Sequence, residues 1–428
     1  MTKIGPFRAI TYNQEKIKDY SRVVCPPYDI ISPEKQAYYH ELSNYNLIHI
    51  LLGKDVAGED KYQRAASYFR DWLKNRILIQ DERPAIYFYS QEYKIRGEKR
   101  LRLGFISLLD LEDKDSSIFG HEHTRLEPKE DRLRLLKQAK ANLSPIFVIF
   151  LDKKRIIQRT YQYHIQNKRP FIDMVDDEKI IHKLWRIDSP EIIVAIQNSM
   201  AGENIFIADG HHRYEVACAY RDLMKKKLNS ITGEEDFNYI LTYFTNTDSR
   251  GLSILPVHRL LKLDFPMDTK KLLTFIGNYF DIEEIKEKNH FFFLMEKGGR
   301  TEHVLGMYKD KKFYLLRLKN IKILDKVITD KPKEYRSLDV VILNYLILKE
   351  ILGSKPQDEQ NIAFGPCAEE FVERVDNDPL CIAFFLNPVR VEQIISVALK
   401  GERMPPKSTY FYPKVLSGLV INKHKLTN

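Results

Sequence analysis

The sequence lacks the motifs by which most nucleotide-binding proteins are identified. It has no G-x-G-x-x-G loop of a dinucleotide-binding fold and no G-x-x-x-x-G-K-[ST] phosphate loop. It also has neither the G-x-S-x-G turn of the serine hydrolases nor the H-R-D and D-F-G motifs of protein kinases. Any anion site in this chain must therefore be built in another way.

Cysteines and long apolar runs are also scarce. The 428 residues include only 4 cysteines, none in a C-x-x-C pair, which indicates reduced thiols rather than a disulfide framework. No run of about 18 apolar residues is present, and the first residues do not resemble a signal peptide. We therefore expect a cytoplasmic protein with no membrane partner.

The chain has an excess of basic residues, with a formal net charge of +9 and a pI of about 9.0. These residues are mostly lysines dispersed among acids, without a basic stripe that alternates with aromatic residues. For this reason we do not expect nucleic acid as a partner. Attraction to phosphorylated small molecules accounts for the charge equally well.

Strand-like and helix-like segments alternate along the chain, which predicts an α/β (α+β) fold with mixed sheets and flanking helices. We divide the chain into four segments: 1–110, 111–262, 263–380 and 381–428. Strands are expected at 85–93, 101–109, 145–151, 204–208, 239–245, 291–295, 303–308, 312–317 and 381–386. Helices are expected at 58–76, 129–140, 189–199, 212–227, 337–352, 367–374 and 389–400.

Residues 204–221 carry the most information. An apolar run, 205–208, predicts a buried strand, and an amphipathic helix follows the turn at Asp209 and Gly210. His211, His212 and Arg213 thus begin a helix, where the dipole and the first N–H groups attract anions. The alternative is that Asp209 only caps the helix, while the histidines lie on the surface and Arg213 pairs with Glu215.

A second polar cluster, His121-Glu122-His123, follows Gly120. In an extended segment His121 and His123 would point to one side and Glu122 to the other. The histidines could then bind a metal, and Glu122 could act as a general base or bind Mg²⁺. A polar loop before a helix is the alternative.

Two further segments contain candidate substrate-binding residues. Arg259 follows an apolar run and could bind a carboxylate or phosphate through two hydrogen bonds, although a surface His-Arg pair explains it equally well. Lys407 and Ser408 lie in a segment rich in proline, lysine and tyrosine that could close over a ligand or could be a docked tail.

Nine segments, in this order, resemble the domain of unknown function 1015 family of bacteria and archaea over about 410 residues. They are PFRAI (6–10), VVCPPYDIIS (23–32), SNYNLIHI (43–50), GHEHT (120–124), KEDRLRLL (129–136), ANLSPIF (141–147), IADGHHRYEVACAYR (207–221), GLSILPVHRLL (251–261) and MPPKSTYFYPKVLSGL (404–419). This resemblance implies no chemistry by itself.

More distantly, Asp209 to Arg213 resemble the D-G-H-x-R motif of the ParB/sulfiredoxin superfamily, which includes free-serine kinases. The resemblance implies a ParB/sulfiredoxin-like core at 111–262, with further α/β subdomains around it. It also implies that this motif holds nucleotide phosphates and that an upstream glutamate is the base, for which Glu122 is the candidate. ATP or ADP and Mg²⁺ are the expected cofactors, and Asp209 would hold Mg²⁺ or orient the histidines. The reactive cysteine of sulfiredoxins is not matched, because Cys218 falls inside the predicted helix.

The sequence therefore predicts phosphoryl transfer from a nucleotide to a small hydroxylated metabolite, and most specifically a free L-serine kinase. In this hypothesis Glu122, Asp209 and His211 are catalytic, 210–213 bind phosphate, and His123, Arg259, Lys407 and Ser408 bind substrate. Two alternatives stay open: a metal-dependent phosphoserine hydrolase, and a ParB-like module that binds nucleotide or nucleic acid. A homodimer is compatible with each.

Overall fold

A computed structural model describes residues 2–111, 117–124, 126–228, 232–247, 250–352 and 361–425. Within these ranges the strands are β1 (Ile4–Gly5), β2 (Ile10–Tyr12), β3 (Leu78–Gln80), β4 (Ile86–Ile95), β5 (Glu98–Asp110), β6 (Ile118–Phe119), β7 (Ala141–Asn142), β8 (Ile146–Phe150), β9 (Ile172–Val175), β10 (Ile181–Ile187), β11 (Ile205–Asp209), β12 (Tyr239–Asn246), β13 (Ser253–Leu255), β14 (His258–Lys262), β15 (Phe280–Ile285), β16 (Val304–Lys309), β17 (Lys312–Leu318), β18 (Ile362–Gly365), β19 (Cys381–Phe385), β20 (Tyr410–Tyr412) and β21 (Asn422–Lys423).

The α-helices of the same ranges are α1 (Pro33–Leu42), α2 (Ile48–Leu51), α3 (Lys61–Lys74), α4 (Leu126–Ala139), α5 (Ile156–Thr160), α6 (Pro190–Met200), α7 (His211–Lys227), α8 (Thr269–Ile276), α9 (Lys288–Gly298), α10 (Ile323–Val327), α11 (Lys333–Arg336), α12 (Asp339–Leu343), α13 (Lys349–Leu352), α14 (Ala368–Asn377) and α15 (Val391–Leu399). Several sheets with helices confirm the predicted α/β (α+β) class. No helix within the described ranges combines the length and the apolar character needed to cross a lipid bilayer.

The chain forms two compact units. The first contains residues 1–120, 124–253 and 413–428, and the second contains 121–123 and 254–412. Each unit is therefore assembled from separate stretches of the chain. The four sequential segments stay a prediction as domains. The largest sheet takes strands from both sides of residue 110.

The first unit is built on a sheet in the order β6-β11-β8-β12-β5-β4-β10-β9, with β1 paired to β5. The pairs β6–β11 and β8–β12 are parallel, and the other neighbours are antiparallel. The inner strands β8 and β11 are buried along their whole length, as their apolar runs predict. A core of aliphatic and aromatic residues from these strands and from α6 and α7 fixes the start of α7 against the sheet.

The second unit is built on a sheet in the order β15-β17-β16-β19-β14-β18, whose neighbours all pair antiparallel. One predicted strand of this unit is wrong, because 291–295 lie inside α9. Phe291 and Met295 are buried, whereas Phe293 is exposed. Buried residues four positions apart lie on one face of a helix. Because every residue of the run 291–295 is apolar, the sequence does not show this helical period.

Candidate functional site: an ion-paired carboxylate at the start of a helix

The end of β11 and the start of α7 form the candidate site of the first unit. Asp209 is the last residue of β11, and Gly210 makes the turn with a φ of +93°. This left-handed backbone favours glycine, and a Cβ at Gly210 would come within 3.0 Å of the Arg213 guanidinium. The turn therefore brings the first residues of α7 close to the end of the strand.

Asp209 forms ion pairs with two cations. Arg213 Nη2 donates to Asp209 Oδ2 at 2.6 Å, and Lys414 Nζ donates to Asp209 Oδ1 at 2.5 Å. The three side chains are only 9 to 11% exposed, so water screens these contacts weakly. The side chains of Asp209, Arg213 and Lys414 together carry a net charge of +1. They lie at the N-terminal end of α7, where the helix dipole is positive.

The charge of Asp209 is firmly held. Burial alone would raise the pKa of its carboxyl, but the charges of Lys414 and Arg213, with a smaller effect of His211, outweigh burial. The pKa therefore lies well below its usual range, and Asp209 is ionised at neutral pH.

These contacts contradict the alternative that Asp209 is merely a helix cap. The N-cap of α7 is Gly210, without a side-chain cap. Arg213 pairs with Asp209, whereas the Glu215 carboxylate accepts from Thr124 at 2.6 Å and Lys129 at 3.1 Å. Arg213 Nη1 also donates to the main-chain oxygen of Pro145, which fixes its guanidinium in one orientation.

Segments that are distant in the sequence surround this pair. Cys25 and Ser417 exchange two main-chain hydrogen bonds of 3.3 and 2.8 Å, and Ser417 Oγ lies 2.6 Å from Ser144 Oγ. Pro145, which follows Ser144, accepts from Arg213. The segments that contain Cys25, Ser144, Arg213 and Ser417 therefore meet in the first unit.

Tyr28 and Arg132 form a contact whose charges and ring act on the same part of the first unit as Asp209 and Arg213. The Arg132 guanidinium stacks 4.3 Å from the centre of the Tyr28 ring and is held by Asp131 and by the main-chain oxygen of Leu51. Burial raises the pKa of the Tyr28 hydroxyl, with opposing effects from the charges of Arg132 and Arg213. Tyr28 is thus within electrostatic reach of Asp209 and Arg213, and it was not among the predicted site residues.

The two histidines of the motif occupy different environments. His211 is buried, and a Cβ at Gly120 would lie 3.4 Å from its ring. His212 is half-buried. Their assignment to catalysis and phosphate binding stays a prediction.

The remaining predicted site residues belong to the second unit. Glu122 lies in an extended segment, where Oε1 accepts the main-chain N–H of Lys407 at 2.8 Å. His121 is buried, with Nε2 3.2 Å from Thr409 Oγ1, whereas His123 is exposed. The cluster therefore presents one histidine to the interior and one to the surface.

Arg259, predicted to bind substrate, is only 2% exposed. Its guanidinium donates to the main-chain oxygens of Val257 and, at 3.0 Å, Lys407, and it lies 5.2 Å from the Phe364 ring. Burial lowers its pKa to about 9, with an opposing effect from Glu122. Ser408 is also buried, and its hydroxyl donates to Pro405 O at 2.6 Å. These contacts hold the segment 404–409 in place, and substrate binding by Arg259, Lys407 and Ser408 stays a prediction.

The described residues contain no group of three or more His, Cys, Asp or Glu side chains able to hold a metal ion. Both Asp209 oxygens accept from cations, so a Mg²⁺ ion bound to this carboxylate would lie close to two positive charges. Sequence reasoning missed Lys414 as a site residue, although it had singled out the segment 404–419. The ion pair spans 205 positions, and no local pattern predicts such a contact.

Comparisons with known proteins gave one family and several remote structures. A search of curated proteins found no match. A free serine kinase variant in complex with ADP matches at 12% identity and a TM-score of 0.36, over 72% of this chain and 87% of the other. SbnI with a C-terminal truncation, from Staphylococcus aureus, matches at 12% and 0.36, over 73% and 85%. A conserved hypothetical protein from Pyrococcus furiosus matches at 12% and 0.34, over 72% and 92%.

The family described as "Protein of unknown function (DUF1015)" matches residues 4–341. This range includes the segments of the resemblance from 6–10 to 251–261, and 404–419 lies outside it. The chain belongs to this family of proteins of unknown function.

Proposed function

We propose that the first unit binds the phosphate groups of a nucleotide at the start of α7. The ion-paired group of Asp209, Arg213 and Lys414 is the observation that carries this proposal. It places two oriented cations and the positive end of a 17-residue helix dipole at one point. Arg213 presents a planar guanidinium suited to two phosphate oxygens, while Lys414 adds a compact charge.

Phosphoryl transfer to a small hydroxylated metabolite is the reaction that such a site supports best. The acceptor hydroxyl oxygen bonds to the terminal phosphorus as the bond to the bridging oxygen breaks, and the shortened nucleotide leaves with that electron pair. Catalysis of this step rests on positioning and charge stabilisation, which fixed cations supply. Arg213 is assigned to the transferring group, and Lys414 to the phosphates of the leaving nucleotide.

Free L-serine is the acceptor that we propose to test first, with O-phosphoserine as the product. ATP and ADP are the candidate donors. Glu122 is the candidate acceptor of the hydroxyl proton, and this role rests on the sequence resemblance. Mg²⁺ bound to the nucleotide would neutralise phosphate charge, and no step of the proposal requires Asp209 as its ligand.

The direct experiment measures both nucleotide binding and product. The protein is incubated with ATP or ADP, MgCl₂ and L-serine, and O-phosphoserine is followed by ³¹P NMR, with threonine and homoserine as alternative acceptors. Nucleotide affinity is measured by calorimetry for the parent, Arg213→Met and Lys414→Met. We expect each variant to bind at least about tenfold more weakly, since a charge-assisted hydrogen bond contributes about 1.5–3 kcal/mol.

Lys183→Met is the matched control, because Lys183 forms an exposed ion pair with Asp173 elsewhere in the first unit. It should bind nucleotide like the parent. Equal affinities for the parent, Arg213→Met and Lys414→Met would contradict the phosphate site. Nucleotide binding without a phosphorylated product from any acceptor would contradict the transfer reaction alone.

A further inference from the structure

A buried pair of polar residues contacts the main chain at Pro413 and Lys414 in the first unit. Gln91 on β4 and Arg102 on β5 are register partners across the central sheet, and both are fully buried at 0% exposure. Arg102 Nη2 donates to Gln91 Oε1. Neither residue touches Asp209 or Arg213 through any hydrogen bond found in the described residues.

The pair holds two consecutive main-chain carbonyls. Arg102 Nη2 donates to the oxygen of Pro413 at 2.5 Å, and Gln91 Nε2 donates to the oxygen of Lys414 at 2.9 Å. We infer that Gln91 and Arg102 are positioning residues, which fix the backbone at Pro413 and Lys414 so that the Lys414 ammonium reaches Asp209. The effect of these residues on nucleotide affinity rests on the proposed function, whereas their effect on the Lys414–Asp209 contact can be tested separately.

Burying the charged guanidinium of Arg102 carries a large desolvation free energy. Among the described residues it forms no ion pair, and its Nε and Nη1 have no hydrogen-bond partner. Its guanidinium lies 4.6 Å from the Phe147 ring and 5.7 Å from the Tyr243 ring, which offset part of the desolvation cost. An apolar side chain would fill this position without the free-energy cost of burying a charge. The presence of an arginine here therefore indicates a role other than packing.

The rings under Arg102 lead to the site. Tyr243 on β12 is the register partner of Phe147 on β8, and Phe147 is the register partner of Asp209 on β11. Gly104, two residues from Arg102, leaves room for the Tyr243 ring, since a Cβ there would lie 2.6 Å from that ring. One set of neighbouring strands thus places Arg102 and Asp209 relative to each other.

Fixing the backbone matters because a lysine side chain is flexible. Its four-carbon chain loses rotamer entropy when it is immobilised. A backbone held at two carbonyls, one of them from a proline, leaves only the side chain to be ordered by Asp209. Without those two hydrogen bonds, we expect the 413–414 segment to move and the Lys414–Asp209 contact to lengthen.

A double-mutant cycle tests this inference. The variants are Gln91→Met, Lys414→Met and the double variant, and the first readout is the titration of Asp209 followed by carboxyl ¹³C NMR. We expect the pKa of Asp209 to rise in both single variants, and the double variant to match Lys414→Met. The second readout is the Kd for ADP, expected to rise about three- to tenfold in Gln91→Met with no further rise in the Lys414→Met background.

The matched control is Gln197→Met. Gln197 Nε2 also donates to a main-chain oxygen at 2.9 Å, that of Ile4, so its loss removes the same type of contact elsewhere in the unit. It should leave both readouts unchanged. Arg102→Lys keeps a donor for Pro413 and should show a smaller effect than Arg102→Met; where an Arg102 variant does not fold, Gln91→Met decides the question.

The inference is overturned if Gln91→Met leaves the titration of Asp209 as in the parent, or if its effect adds in full to that of Lys414→Met. Failure of the parent protein to bind ADP would contradict the proposed function instead, because the NMR titration would still report on positioning. The two failures are therefore distinguishable.

Discussion

Asp209 and Lys414 lie 205 positions apart in the sequence, and their side chains meet at 2.5 Å. Asp209 ends the buried strand β11, whereas Lys414 comes from the last stretch of the first unit. A second cation, Arg213, occupies the other carboxylate oxygen. The lysine and arginine are thus held in fixed positions by one buried carboxylate, which makes that carboxylate the organising residue of the site.

Removing this carboxylate should destabilise the first unit. In Asp209→Asn the Lys414 and Arg213 cations stay buried without their partner, and breaking a buried ion pair costs about 3–5 kcal/mol. We expect a clear decrease in Tm by calorimetry. In the control Asp173→Asn, which loses an ion pair about half exposed on both sides, the change should stay below about 1 kcal/mol.

Gly210→Ala should weaken phosphate binding and lower stability together. The left-handed φ of +93° costs a non-glycine residue about 1–2 kcal/mol, and the added Cβ would push on the Arg213 guanidinium. Gly202→Ala is the matched control, because nothing lies within 4 Å of its Cβ position. A Gly210→Ala variant with the parent's Tm and nucleotide affinity would refute this account of the turn.

The stability of the second unit should decrease in weak acid. His258 is 4% exposed, and its Nδ1 accepts from the main-chain N–H of Leu386 at 3.2 Å. Burial, assisted by the neighbouring Arg259, lowers its pKa from 6.5 to about 4. The unfolded chain therefore binds a proton that the folded chain excludes, and the stabilisation present above pH 6.5 is lost as the pH falls toward 4.

The effect of His258 is on the order of 3 kcal/mol, from the size of the pKa shift. Thermal unfolding measured between pH 7 and pH 4 should show a steeper loss in the parent than in His258→Gln, which keeps a hydrogen-bond acceptor. Part of the slope should persist, because burial also lowers the pKa of His424 in the first unit to about 4. Identical pH profiles would show that His258 does not carry this effect.

Glu122→Gln separates catalysis from binding. If Glu122 takes the hydroxyl proton, turnover should fall about 100- to 10,000-fold while nucleotide affinity stays at the parent value. The glutamine oxygen can still accept from the Lys407 main-chain N–H, so the local structure should persist. Glu127→Gln, at an exposed position in α4, should retain the parent's turnover; equal turnover in Glu122→Gln would remove Glu122 from the mechanism.

Local pattern was sufficient for most elements near the site. The apolar run before Asp209 and the periodicity after Gly210 predicted β11 and α7 within one residue at each end. The same reasoning failed at 291–295, where five consecutive apolar residues hide the period of α9. Apolar periodicity determines an element only when polar residues interrupt the run.

The sequence by itself determined the α/β class, the strand–turn–helix that carries Asp209 and Arg213, and the family. Only the tertiary structure decided which groups meet there: Lys414 with Asp209, Tyr28 with Arg132, and the Gln91–Arg102 pair with the backbone at 413–414. Secondary structure depends on neighbours within a few residues, which a sequence displays directly. Contacts between distant segments depend on strand order and burial, which emerge only when the whole sheet is assembled.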